Sequence, residues 1–295
     1  MAPFTARLAA VVAMAGLASS AGLAAQARER VAFVAVVNRD TGAPLTELEP
    51  RDIFIREDRA VREVLRVTRA SGPMPIAVLV DNSAAAEPAV ANIRSALTSF
   101  VTALGDVGPV SIIEMAERPT VVTDYTTTKA SVLAGIQRLF ARPGSGVTLL
   151  DAVFESARGL QKREGERAAI VILGAGGAEQ SAVHYTRALE LLTASGATLH
   201  AVLLSRPGRS GFNDATRQRD MLLDRGVRST GGFRRDVLDS MAFGPALADL
   251  ARALTHQFRV VYARPQTLIP PDSFEVAAAA PGHIAYGTTA RGQPK

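Results

Sequence analysis

The sequence predicts an α/β protein: a doubly wound, mostly parallel sheet preceded by a small N-terminal β unit. Three observations carry this. Short apolar runs such as Ile76–Val80 and Ala168–Leu173 lack polar alternation, as strands buried on both faces do. These runs alternate with amphipathic helical stretches, the pattern of a parallel sheet. Before them, residues 31–70 hold only strand-like and turn-like segments.

In chain order, Val31–Val37 reads as a strand and Asn38-Arg39-Asp40-Thr41-Gly42 as a turn. Asp52–Asp58 alternates apolar and polar like a half-buried strand, and Val61–Thr68 is another. Ser71-Gly72-Pro73-Met74-Pro75 is a linker by composition. Then come a strand at Ile76–Val80, a helix at Pro88–Leu104, a strand at Val110–Ala116 and a shorter edge strand at Pro119–Tyr125. A helix follows at Thr128–Leu139, and Arg142–Gly146 is a loop. Leu149–Arg163 is a helix entered through Thr148, with Asp151 placed as in a capping box. Ala168–Leu173 is a strand, Ser181–Ala194 a helix, Thr198–Leu204 a strand and Asp214–Asp224 a short helix. The last helix is Pro245–His256 and the last sheet strand Phe258–Tyr262. The tail over 266–295 has one further candidate strand, Ser273–Ala277, and reads as partly disordered.

Composition narrows the function. The chain has 295 residues, 47% hydrophobic and 21% charged, so a packed core is expected. The net charge of +5 is small, and aromatics are 5% without interleaved basic runs, which argues against nucleic acid. Cysteine is absent, which excludes disulfides, thiol metal sites and thiol nucleophiles. Residues 1–27 read as a signal peptide: Arg7, an apolar Leu8–Leu23 stretch, then Ala25-Gln26-Ala27 before Arg28. No later stretch is apolar enough to span a bilayer, so the expected location is periplasmic or secreted. The expected units are 28–72, 73–265 and the tail.

Asp81-Asn82-Ser83-Ala84-Ala85 stands at the carboxyl end of the first parallel strand, where ligands of open α/β sheets bind. This run, with the element order from Pro75 to Pro265, resembles a von Willebrand factor A (VWFA) domain. Gly42-Ala43-Pro44-Leu45-Thr46-Glu47-Leu48, Asp52–Asp58 and the closing Phe258–Pro265 resemble the VWFA-related family first described from acidobacteria. The resemblance implies a Rossmann-like fold and a metal-ion-dependent adhesion site for Mg²⁺ or Mn²⁺. Such a site takes oxygens from an Asp and two Ser of the first loop, a Thr before a later helix and a second Asp. Asp81, Ser83 and Thr148 occupy three of those positions; Ala85 and Ala175 occupy the other two. The resemblance therefore implies a degenerate site and a non-catalytic protein-interaction module with no required cofactor, its partner an unknown protein. A module still using Mg²⁺ or Mn²⁺ at Asp81, Ser83 and Thr148 is the alternative.

Other readings of Asp81 and Ser83 are turn chemistry, and of Thr148 an N-cap. Glu179 lies four residues past Ala175. Gly174-Ala175-Gly176-Gly177 lacks phosphate-loop spacing. His184, His200, His256 and His283 are scattered, and no nucleophile elbow is present. From Arg206 to Arg235, eight basic residues face three acidic ones, spread among glycines as in a solvated loop.

Overall fold

The structure is a computed structural model that describes residues 27–205, 213–265, 269, 271 and 273–292. Apart from Ala27, the leader lies outside the described residues, as does the part of the arginine-rich stretch over 206–212.

Six strands form the central sheet: β5 (Ile76–Val80), β6 (Val110–Glu114), β7 (Thr120–Thr126), β8 (Ala169–Gly174), β9 (Thr198–Leu204) and β10 (Arg234–Val237). Their order is β10-β9-β8-β5-β6-β7, parallel throughout except that β7 runs antiparallel to β6 at the edge. All five residues of β5 are buried. Ile76, Val78 and Val80 face one core and Ala77 and Leu79 the other, which is why the run shows no polar alternation.

Helices α1 (Val90–Leu104), α2 (Lys129–Gln137) and α6 (Phe243–Thr255) cover the first face. Helices α3 (Leu149–Gln161), α4 (Tyr185–Ser195) and α5 (Asp214–Ser229) cover the second. Two boundaries shift for local reasons. The helix expected from Pro88 begins at Val90, after a 3₁₀ turn over Ala84–Ala89 that contains Pro88. The helix expected from Ser181 begins at Tyr185. The amides of Ala182 and Val183 donate to the Asp151 carboxylate instead, and the His184 ring caps the Thr186 amide.

The small unit is built from β1 (Ala27–Asn38), β2 (Ile53–Glu57), β3 (Ala60–Arg62), β4 (Val64–Arg69), β11 (Phe258–Pro265), β12 (Phe274–Ala278) and β13 (His283–Thr289). One sheet runs β13-β1-β11-β4, the other β12-β2-β3. Ala32, Val34, Ile53, Ile55, Phe258 and Val260 share its core.

Two sequence expectations change here. Phe258–Tyr262, expected to close the parallel sheet, pairs antiparallel with β1 and β4. In the tail, β12 falls on the strand expected at Ser273–Ala277, while β13 is not expected from the sequence and pairs with β1 over seven residues. Both changes follow from α6. Its outer face packs Ala253 against Ala35 and Val37 of β1, so the chain leaves α6 beside the small unit. The two units meet at a tight seam. Gly231 sits at φ +65, and a Cβ there would lie 1.6 Å from the Gly287 carbonyl oxygen of β13.

Candidate functional site

The first loop of the site leaves β5 at Asp81. The carboxylate is buried, and backbone amides occupy both of its oxygens. Oδ1 accepts from Ser83 N–H at 3.0 Å; Oδ2 accepts from Ala175 N–H at 2.8 Å and Gly177 N–H at 3.2 Å. The glycine-rich turn after β8 thus folds down onto Asp81. Gly176 takes φ +82 to make that turn, and a Cβ on Gly177 would come within 2.3 Å of Ser83 Oγ.

Ser83 is wholly buried under this turn, and its hydroxyl has no hydrogen-bond partner. Thr148 stands at the N-cap of α3, but its side chain does not cap: both its N–H and its Oγ1 donate to the Met115 carbonyl at 2.8 Å. Asp151 does not complete a capping box either, since its oxygens hold Ala182 and Val183. The α3 terminus is served by Ser181, whose Oγ accepts from Asp151 N–H at 3.1 Å and donates to Glu179 Oε1 at 2.6 Å. Burial raises the Glu179 carboxyl above the usual range, opposed by hydrogen bonds from Ser181 and the Arg219 charge.

Asn82 organises the edge, although the sequence alone assigns it no role of its own. It is buried between Asp81 and Ser83. Its Oδ1 accepts from Ala116 N–H at 2.9 Å, its Nδ2 donates to Phe140 O at 3.2 Å, and its carbonyl accepts from Arg142 N–H at 2.8 Å. One side chain therefore ties β5 to the loop after β6 and to the 140–142 loop.

Beside Asp81 lies a cleft of about 780 Å³, lined by Leu149, Leu203 and Leu223 with Arg219, Asp220 and Asp236. It opens at the carboxyl ends of β8, β9 and β10.

For a divalent cation the donor set is thin. Among the described residues no group of three His, Cys, Asp or Glu is placed to hold a metal. Alanines stand at 85 and 175, and the one carboxylate of the set already accepts three backbone hydrogen bonds. Hard cations take such carboxylate oxygens as primary ligands, so these residues do not fit a Mg²⁺ or Mn²⁺ ion as arranged.

Residues 76–178 match the family model for the von Willebrand factor type A domain. A von Willebrand factor type A domain is therefore present. The protein described as von Willebrand factor type A from Catenulispora acidiphila superposes with a TM-score of 0.54 at 10% identity, over 92% of this chain and 67% of that one. The pilus adhesin SpaC from Lactobacillus rhamnosus GG reaches 0.50 at 10% identity, over 85% of this chain and 48% of that chain. Proximal thread matrix protein 1 from the mussel byssus reaches 0.50 at 16% identity, over 68% and 50%. This chain thus spans about half of the latter two. At such identities the likeness concerns fold alone. No curated protein matches the chain.

Proposed function

We propose that this protein is an exported, non-catalytic protein-interaction module whose A domain carries a degenerate adhesion site. The observation that carries this reading is the state of Asp81. Its two oxygens are committed to Ser83, Ala175 and Gly177, the last two in the turn that carries alanine in place of the second acidic ligand. The aspartate that would bind metal instead braces the loop. A partner is then held by direct hydrogen bonds and apolar contacts at the carboxyl edge.

The non-catalytic reading is supported by the histidines. His184 caps α4, His200 is buried and accepts from Phe233 N–H, and the His256 and His283 rings bond nearby backbone carbonyls. Export to the periplasm or beyond rests on the leader-like pattern of residues 1–27. Cleavage after Ala27 would remove one residue of β1 and leave Arg28 opposite Arg264. N-terminal sequencing of the mature chain would read from Arg28; an uncleaved Met1 would contradict export by this route. We also assign the chain to the acidobacterial VWFA-related group. Its motif residues support this: Gly42–Leu48 forms the turn region after β1, and Asp52–Asp58 contains β2. Among the described residues no helix is long and apolar enough to cross a membrane.

A metal-dependent adhesion module is the second reading. The unpartnered Ser83 hydroxyl favours it, since a buried oxygen without a partner is a candidate ligand. Titrating Mn²⁺ into the protein under electron paramagnetic resonance separates the two. The degenerate site leaves the free Mn²⁺ signal undiminished. Loss of one equivalent of signal, restored in Asp81→Ala, would establish the metal-dependent module instead.

A further inference from the structure

The carboxyl edge carries two features that match each other. One is Phe140, a large aromatic left 63% exposed. It is held rigidly: the Arg94 guanidinium stacks 4.2 Å from its ring centre, Arg94 Nε donates to the Leu139 carbonyl at 2.7 Å, and Asn82 Nδ2 holds its own carbonyl. An exposed aromatic with its backbone fixed loses little entropy when it is covered, the usual character of a binding anchor. The other feature is the cleft beyond Asp81, whose leucines offer apolar lining and whose volume admits an aromatic ring with its flanking chain.

The charges around the two features are inverted. Beside Phe140, Arg142 is paired with Glu114 at 3.1 Å, but the arginine side chain is 47% exposed and the glutamate 8%. Arg118, also exposed, stands in the adjoining loop. At the cleft the order is reversed. Asp220 is 52% exposed over an Arg219 that is 18% exposed, and Asp236 is likewise more exposed than its partner Arg234. Glu117, beside Arg118, is exposed as well, so the inversion lies in the ion pairs: the Phe140 half presents an arginine over a buried carboxylate, and the cleft half presents carboxylates over sunken arginines. Leu238 and Met241, exposed beside the end of β10, add apolar surface to the same edge.

We propose that this edge pairs with a second copy of this chain, each Phe140 seating in the other copy's cleft. An isologous contact brings patch to counter-patch twice around one two-fold axis, so a face holding both halves is self-complementary and closes at a dimer. Aspartates at the cleft rim then meet the arginines around Phe140, which favours correct docking over other encounters. The proposal rests on the reading of the carboxyl edge as the interaction surface and names its partner.

Sedimentation equilibrium of the full chain at micromolar concentration tests it. The expected mass is twice that of the chain. Phe140→Asp removes both anchors of the two-fold contact, about thirtyfold each, and is expected to weaken the dimer by several hundredfold. The double variant Asp220→Arg/Asp236→Arg is also expected to be monomeric. Mixing these two variants should restore a mixed dimer, since the carboxylate introduced at 140 faces the guanidiniums introduced at 220 and 236 while the untouched half re-forms. A misfolded variant cannot produce that rescue. A monomeric wild-type chain, a dimer indifferent to Phe140→Asp, or two variants that stay monomeric when mixed would each overturn the proposal. A monomer that also leaves the Mn²⁺ signal free would leave the metal-free reading standing with a different partner. A dimer that takes up Mn²⁺ would retain the pairing and overturn that reading.

Discussion

Asp81 and Ser83 are neighbours in a motif, yet the structure gives them opposite roles. Asp81 satisfies three amides at the point where the turn after β8 meets the end of β5. Replacing it by alanine would orphan three buried donors, so Asp81→Ala should lose about 3 kcal/mol of unfolding free energy in urea, with or without metal. Ser83 makes no side-chain hydrogen bond. Ser83→Ala should fall within about 0.5 kcal/mol of wild type, because no partner is lost. A large loss in Ser83→Ala would mean that the hydroxyl has a partner after all, such as an ion or ordered water.

His200 is the other residue whose setting fixes a measurable. Full burial pushes its imidazole down to about 3, and its Nδ1 accepts from Phe233 N–H at 3.0 Å, so the folded protein holds it neutral. The unfolded chain binds the proton near the ordinary value of about 6.5. Its contribution is therefore complete above about 6.5 and is lost as pH falls toward about 3. By pH 5 the loss is about 2 kcal/mol, at 1.36 kcal/mol per unit. His200→Gln keeps an acceptor for Phe233 and removes the titration. Unfolding measured at pH 7 and pH 5 should show a smaller difference in the variant than in wild type by that amount. These roles were only partly legible in the sequence. Asp-x-Ser marks the loop, but nothing local shows that Asp81 would be saturated by a turn more than ninety residues away, or that Asn82 would be the organiser.

At the scale of elements, the parallel strands were readable because a strand buried on both faces is apolar throughout. Amphipathic helices were readable for the corresponding reason. Strand partners were not, since pairing is non-local. Phe258–Tyr262 has the look of any core strand, and only the position of α6 against β1 sends it to the small unit. The last strand escaped notice because His283–Thr289 is intermediate in burial along its whole length and so carries no strong pattern. Its seam with the α/β unit makes a sharp prediction. Gly231→Ala would drive a methyl into the Gly287 carbonyl and add strain at a positive φ. It should lose more than about 3 kcal/mol in a melting experiment, whereas Gly244→Ala on α6, with open space around it, should not.

For the whole molecule, the small unit packs on the A domain through β1 and α6, and among the described residues none of its side chains lines the cleft at the carboxyl edge. The proposed binding surface lies where open α/β sheets bind ligands, and what distinguishes this chain is how that surface is closed from within. Fold likeness assigns the architecture; the site chemistry has to carry the function. The central claim is that the adhesion site works without metal, and melting curves in EDTA and then in millimolar Mg²⁺ or Mn²⁺ test it most directly. A protein that binds an ion only when folded melts higher as the ion is added. Superimposable curves for the wild-type chain are the predicted result. A rise of several degrees that disappears in Asp81→Ala would contradict it.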